Sequence, residues 1–362
     1  EWPLLIICPS SLRMGWSEEL KRWLKVCPLD INVIMNGKGK VSAPVNIISY
    51  ELVPRLAEEI ESESFKVIIA DESHYLKNMK AKRTKAIEPL LENAKRVLLL
   101  SGTPALSRPA ELYPQIKAVK PDLFPKFEPF GVRYCAGHKG QFGWDYSGAS
   151  HLEELHSILN HTVMIRRRKE DVLNELPEKN RHTVAIDAVV DIEQREKLME
   201  LRRLERQATG YQFSNPAKEA MRNKQELTTM LYSESAVSKL DGVLAYIRTT
   251  LDCSEEKVIL FAHHQSMMDG IEGMLREKKV QHIRIDGSTP AGTRHGLVGQ
   301  FQKRDNCRVA LLSITAGGTG LTLHAASMVV FCELYWTPAM LLQAEDRAHR
   351  IGQERQGSIY YL

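Results

Sequence analysis

Short apolar runs that stop abruptly at polar residues recur along this chain. Leu4–Cys8, Val45–Ser49, Val67–Ala70 and Val97–Leu100 lie in its first third; Val258–Ala262, Ile283–Ile285 and Val309–Leu312 lie in its last. Runs of this length without polar alternation are strands covered on both faces, the pattern of a parallel sheet between helices. Helix-periodic segments separate them: Leu12, Trp16, Leu20, Trp23 and Leu24, then 52–60, 80–91 and 267–278. Strand and helix alternating in this way predict an α/β fold with parallel, helix-covered sheets. A chain of 362 residues exceeds what one core usually serves, so two such lobes are expected.

The stretch Phe65–Asn78, FKVIIADESHYLKN, carries the most chemistry. Its apolar run ends in two adjacent carboxylates and a histidine. At the carboxyl end of a parallel strand, Asp71 can hold Mg2+ through water while Glu72 takes a proton from an attacking water. Capping of a helix N-terminus by either carboxylate fits the same letters. Arg96–Leu100 then runs into Ser101-Gly102-Thr103-Pro104, a hydroxyl-bearing loop at the same sheet edge, where ligands of open α/β sheets gather.

Apolar content of 43% and charged content of 26% are those of a globular protein, and no apolar run reaches the length of a membrane span. The net charge of +4 is too small to argue for nucleic acid by itself. Six cysteines without a C-x-x-C pair suit reduced core thiols in a reducing compartment. Cys135 and His138 make half of a metal spacing with no second pair nearby. Asn36–Lys40 fails the pattern G-x-x-x-x-G-K-[ST], because Ile34 stands where the first glycine belongs and Val41 follows the lysine. Residues 121–150 read as a loop-rich insertion. Met164–Val172 places Arg166, Arg167, Arg168 and Lys169 in a helix-like pattern, which suits either a solvated face or duplex phosphates. Glu193–Lys239 reads as a protruding helical insertion.

In the last third, strands end at His263-His264, at Asp286-Gly287-Ser288 and at Ser313-Ile314-Thr315, the last followed by a glycine cluster, 316–320, able to approach a phosphate. Near the end, Gln343, Arg347 and Arg350 lie at i, i+4 and i+7 and would share one face of a continuous helix. Such a face can clamp a phosphate. Pairing of the arginines with Glu345 or Asp346 is the alternative.

Taken in order, ICPSSL, ADESHYLKN, LLSGTP, FAHH, RIDGST, SITAGGTGL and QAEDRAHRIGQ resemble the motifs of the SWI/SNF-related DNA translocases of helicase superfamily two, over nearly the whole chain. SGTPALSRPAEL, RYCAGH with GWDYSGAS, IRRRKEDVLNELP and VFCELYWTP are most similar to the annealing-helicase branch of HARP-type fork-remodelling proteins. The resemblance implies two RecA-like lobes, 1–160 and 241–362, joined by a helical insertion and connector, 161–240, with ATP between the lobes and duplex or branched, fork-like DNA across them. It implies a DNA-dependent ATPase that rewinds strands and remodels stalled forks, a nuclear location, and replication or repair partners reached through other regions. A nucleosome-remodelling motor and a non-catalytic DNA-binding module are the alternatives.

Residue by residue, the resemblance assigns Mg2+ to Asp71, polarisation of the hydrolytic water to Glu72, and coupling to His74, Ser101 and Thr103. Gly320, Gln343, Arg347 and Arg350 would serve the nucleotide. Pro9, Ser10, Ser11, Ser49, Ser313, Thr315, Gly317 and Gly318 would meet the DNA backbone, contacts that position a motor without reading sequence. The family's phosphate loop, with its lysine and hydroxyl, would precede Glu1. The expectation is therefore a piece of a larger enzyme that does not turn over ATP by itself.

Overall fold

The computed structural model describes residues 2–24, 27, 30–105, 107–140, 143–173, 175–210, 215–317, 323–350, 352–353 and 355–362. By its internal contacts the chain forms two compact units, Glu1–Asn174 with Pro290–His295, and Glu175–Thr289 with Gly296–Leu362.

The first unit is built on a five-stranded parallel sheet. Its elements run β1 (Leu4–Cys8), α1 (Arg13–Trp23), β2 (Ile31–Val33), β3 (Val45–Ser49), α2 (Ala57–Ser62), β4 (Val67–Asp71), α3 (Lys82–Asn93), β5 (Arg96–Leu100) and α4 (Tyr113–Val119). The strand order is β2-β3-β1-β4-β5. Alternate residues of the apolar runs feed opposite faces, as the pleat requires. Leu5, Ile7, Ile48, Ile68 and Ala70 pack with Ile60, Ile87, Leu90 and Leu91 on one side. Leu4, Ile6, Cys8, Val45 and Ile47 pack with Leu20 on the other. The run at β5 was expected to be buried. It is instead an edge strand, with Leu98 45% and Leu100 39% exposed.

The loop-rich reading of 121–150 understates that region. It holds α5 (Phe127–Tyr134) and an antiparallel hairpin of β6 (His138–Gly140) and β7 (Gly143–Asp145), followed by α6 (Leu152–Thr162) and α7 (Lys169–Val172). Tyr113, Phe130, Tyr134, Leu155 and Leu159 form a small core of their own, with Phe124, Phe127 and Tyr146 against it. A Cβ at Gly131 would stand 2.5 Å from the Tyr146 ring, so only glycine lets α5 approach it. Cys135 lies in this core, and burial pushes its thiol up, the setting of a packing residue. Only Lys169–Val172 of the basic run is helical, and Arg166–Arg168 are exposed on the chain before it.

The second unit contains a six-stranded sheet in the order β10-β11-β9-β12-β13-β8, all of its pairs parallel. In chain order its elements are β8 (Lys179–Thr183), α8 (Ile192–Gly210), α9 (Asn215–Ser238), α10 (Leu240–Cys253), β9 (Val258–Ala262), α11 (Gln265–Glu277), β10 (Gln281–Ile285), α12 (Ala291–Lys303), β11 (Cys307–Ser313), α13 (Ile314–Gly317), β12 (Met328–Phe331), α14 (Pro338–Ala348) and β13 (Gly357–Tyr361). Ile259, Phe261, Ala310, Leu312, Val329 and Phe331 face one core, and Val258, Leu260, Val309, Leu311 and Val330 the other. Two parallel, helix-covered sheets, one in each unit, give the α/β architecture that the sequence predicts. The stretch 161–240 holds the long helices α8 and α9, and it also contributes β8, which pairs with β13 from Lys179↔Gly357 to Thr183↔Tyr361. No helix among the described residues is long and apolar enough to cross a membrane.

Candidate functional site

In the first unit, β1, β3, β4 and β5 all end at one edge of the sheet, in the parallel register Cys8↔Ser49, Ile7↔Ala70 and Asp71↔Leu100. This register brings together the loops that the sequence singled out. Asp71 is the last residue of β4. Its Oδ2 accepts the Trp16 indole N–H at 2.8 Å, its Oδ1 accepts the Glu72 backbone N–H at 2.9 Å, and its carbonyl accepts the Tyr50 hydroxyl at 2.8 Å. Burial, with Asp71 next, pushes the Tyr50 hydroxyl and the Cys8 thiol far up, so both stay neutral beside it. A carboxylate oriented by N–H donors at the end of a parallel strand suits a cation held through water.

Glu72 breaks the strand by adopting φ 53° and ψ 52°, the left-handed region that a residue with a side chain enters at a cost of about 1–3 kcal/mol. Helix capping does not explain it, since its side chain makes no cap hydrogen bond to the 3-10 turn Ser73–Leu76 that follows. The two neighbouring carboxylates take different partners, Asp71 the Trp16 indole and Glu72 the His74 ring. His74, 9% exposed, places Nδ1 3.3 Å from Glu72 Oε2 and 3.3 Å from Ser101 Oγ, and that hydroxyl accepts the Thr103 N–H at 3.2 Å. Asp71, Glu72, His74, Ser101 and Thr103 are thus one connected polar cluster.

Sequence reasoning missed two supports. Trp16 looked like one apolar position of a helix, yet its indole N–H holds Asp71, the typical use of a half-buried tryptophan's polar end. Gln115 in α4, 6% exposed, accepts from Ser73 Oγ at 2.8 Å and donates to the carbonyls of Pro104, at 2.7 Å, and Glu111, at 3.0 Å. It therefore joins the D-E-S-H and S-G-T-P loops from behind. Gln115→Leu strands these buried groups, and an expected loss of about 1–3 kcal/mol follows. The check is the denaturant midpoint of unfolding, where an unchanged value refutes the linkage.

Of the residues assigned to DNA here, Ser10 is exposed and Ser11 half-buried in a 3-10 turn, while Pro9 and Ser49 are buried behind it. Arg13, itself buried, fixes the turn through Nε to Ser10 O at 3.1 Å and Nη1 to Ile34 O at 2.6 Å.

In the second unit, Ser313 ends β11 and its hydroxyl lies 3.2 Å from that of Thr315, the two sharing a hydrogen bond. Gly317 closes α13. Gly318 and Gly320 lie outside the described residues. At the ends of β9 and β12, Glu333, 2% exposed, accepts the N–H groups of His263 and His264 at 2.7 and 2.9 Å and the His264 ring at 2.6 Å.

The expected face of Gln343, Arg347 and Arg350 does not form as drawn. Helix α14 ends at Ala348, so Arg350 lies past it, and the i+7 rule that assumed a continuous helix fails there. Arg350 instead returns Nε to the Asp346 carbonyl at 3.1 Å. Arg347 is buried, 3% exposed, and its carbonyl accepts the Leu323 N–H at 2.9 Å. Glu345 does not pair with these arginines either. Fully buried, it takes Arg181 through Nε at 2.9 Å and Nη2 at 2.7 Å, Lys179 at 2.9 Å, and the Tyr361 hydroxyl.

Burial pushes the Glu345 carboxyl up, but the hydrogen bonds from Arg181, Tyr361 and Lys179 outweigh it and bring it from an ordinary 4.5 down to about 2. A folded-state value below the unfolded one means stabilisation that is complete above pH 4.5 and lost as pH falls towards 2. The stability difference between wild type and Glu345→Gln should therefore stay constant from neutrality to about pH 5 and shrink below it, as read by unfolding midpoints across pH. A constant difference down to pH 2 refutes the pairing.

Residues 1–236 match the SNF2-related domain, and residues 238–352 the helicase conserved C-terminal domain. The chain is 46% identical over 364 residues to the SWI/SNF-related matrix-associated actin-dependent regulator of chromatin subfamily A-like protein 1 of Xenopus tropicalis, covering 100% of this chain and 38% of that protein. It is 44% identical over 382 residues to the DNA annealing helicase and endonuclease ZRANB3 of Mus musculus, covering 100% of this chain and 34% of that protein. The Sulfolobus solfataricus SWI2/SNF2 ATPase core in complex with dsDNA is 22% identical with a TM-score of 0.43, covering 99% of this chain and 76% of that one. The chain thus spans little more than a third of the length of these curated relatives. With the two domains matched in the expected order over residues 1–236 and 238–352, the chain belongs to the SNF2-related family.

Proposed function

We propose that this chain is the motor core of a DNA-dependent ATPase that moves on duplex or branched DNA and rewinds strands at stalled forks. The observation that carries the reading is His74, set at 3.3 Å from both the Glu72 carboxylate and the Ser101 hydroxyl at the sheet edge. A histidine so placed links the state of the hydrolytic carboxylate to the loop after β5. Its family membership and its identity to a protein named an annealing helicase support the same reading.

In this mechanism Glu72 orients a water and accepts its proton as the oxygen attacks the γ-phosphorus of ATP and the bond to ADP breaks. Asp71, held by Trp16 and by the Glu72 N–H, is the residue that would hold Mg2+. When bound, Mg2+ neutralises charge on the phosphate oxygens. Gln343, Arg347 and Arg350, with Gly320, bind the nucleotide's phosphates. His74, Ser101 and Thr103 pass the change on. Pro9, Ser10, Ser11, Ser49, Ser313, Thr315, Gly317 and Gly318 serve the sugar-phosphate backbone, which fits a motor that ignores sequence. The exposed Arg166–Arg168 add positive charge for duplex phosphates. Work on chromosomal DNA implies the nucleus, with replication or repair proteins as partners.

ATPase assays on the full-length protein with forked DNA, linear duplex and nucleosomes test the substrate. The reading expects the strongest stimulation by forks; strongest stimulation by nucleosomes makes it a chromatin-remodelling motor instead.

A further inference from the structure

We propose that Pro177–Arg181, the end of the connector and the start of β8, is a positioning element for Arg347 and Arg350, latched to α14 by side chains that lie between and around those arginines. In the run Gln343–Arg350, three side chains are spent on this segment. Glu345 takes Arg181 through two parallel N–H···O bonds and Lys179 at 2.9 Å; Asp346 takes Lys179 at 3.2 Å; and the His349 Nε2–H donates to the Pro177 carbonyl at 2.7 Å. Tyr361 of the neighbouring strand β13 donates to the same Glu345.

Three features make this more than surface pairing. Glu345 is 0% exposed, and removing one partner of a buried ion pair leaves a charge that the interior does not tolerate, so α14 and β8 are obliged to stay together. β8 is an edge strand whose ladder partner among the described residues is β13, so the latch adds side-chain anchors on α14 to that one ladder. Lastly, α14 stops at Ala348, so regular helix geometry does not place Arg350. Its neighbour His349, anchored on Pro177, and the Asp346 carbonyl do so instead. The connector thereby sets where the arginines stand, which makes Arg181, Lys179 and Glu345 positioning residues.

This inference rests on the reading that Arg347 and Arg350 serve the nucleotide, and the test separates the two. In the full-length protein, DNA-stimulated ATPase is measured for Arg181→Ala, Arg181→Lys, Glu345→Gln and Arg350→Ala, with DNA affinity and thermal midpoint recorded for each. The Arg181 side chain is 46% exposed, so its truncation leaves no void. Arg181→Ala is expected to lower kcat about tenfold at unchanged KM for ATP and unchanged DNA affinity. Arg181→Lys should recover part of this, since it keeps the charge and loses the fork. Wild-type kcat in both Arg181→Ala and Glu345→Gln, beside an inactive Arg350→Ala, overturns the latch alone. A kcat loss matched by an equal loss of DNA affinity, with no recovery in Arg181→Lys, makes the latch merely structural and also overturns it. Wild-type turnover in Arg350→Ala overturns both readings.

Discussion

Replacing Glu72 by glutamine is expected to lower DNA-stimulated ATP hydrolysis by about 10²- to 10⁴-fold in the full-length protein, while ATP and DNA still bind. The amide keeps the size of the side chain and can hold a water, but it cannot accept the proton. The backbone at Glu72 is kinked into the left-handed region by the surrounding fold, and that strain is unaffected by the change of one terminal atom. Asp71 keeps both of its donors, one of them the Glu72 backbone N–H, which every side chain at this position retains. The informative readouts are therefore kcat together with nucleotide and DNA affinities. Retained turnover would show that Glu72 is a local structural feature and that another group takes the proton.

The arginines give the second large effect. Arg350→Ala is expected to reduce kcat by about 10³- to 10⁵-fold, the range for a guanidinium that meets phosphate charge as it develops in the transition state. Arg350 is half-buried and past the end of α14, so its loss should leave the fold and the unfolding midpoint nearly unchanged. Arg347 differs: at 3% exposed it is part of the interior of its unit, and Arg347→Ala should lower stability together with turnover. Comparing thermal midpoints of the two variants separates them. If both lost stability equally, Arg350 too would be structural.

The polar cluster of the first unit was legible as a place in the fold because a core strand that ends in two carboxylates is costly unless those charges are partnered. The same physics identified β1, β3, β4, β9, β10 and β11. Spacing along the chain did not reveal contacts made by folding. Trp16 meets Asp71 across 55 residues and Gln115 meets Ser73 across 42, and nothing local to either marks its partner. β8 was invisible because Lys179–Thr183 reads KNRHT, polar enough for a loop; as an edge strand bound to a buried carboxylate it needs no apolar run. The i, i+4, i+7 rule mistook the geometry of Gln343, Arg347 and Arg350, since periodicity does not tell where a helix ends. Likewise β5 has the letters of a buried strand and the position of an edge, for composition reports what a residue tolerates and topology decides what covers it.

The proposal that matters most is that this chain is the motor core of a protein that couples nucleotide hydrolysis to work on DNA. Phosphate release by the full-length protein, with and without duplex or forked DNA at saturating Mg2+ and ATP, tests it most directly. The account predicts slow release without DNA, a steep rise when DNA is added, and no such rise in Glu72→Gln. Release that is equal with and without DNA, or absent in both while DNA still binds, would contradict it and leave a DNA-binding module in its place.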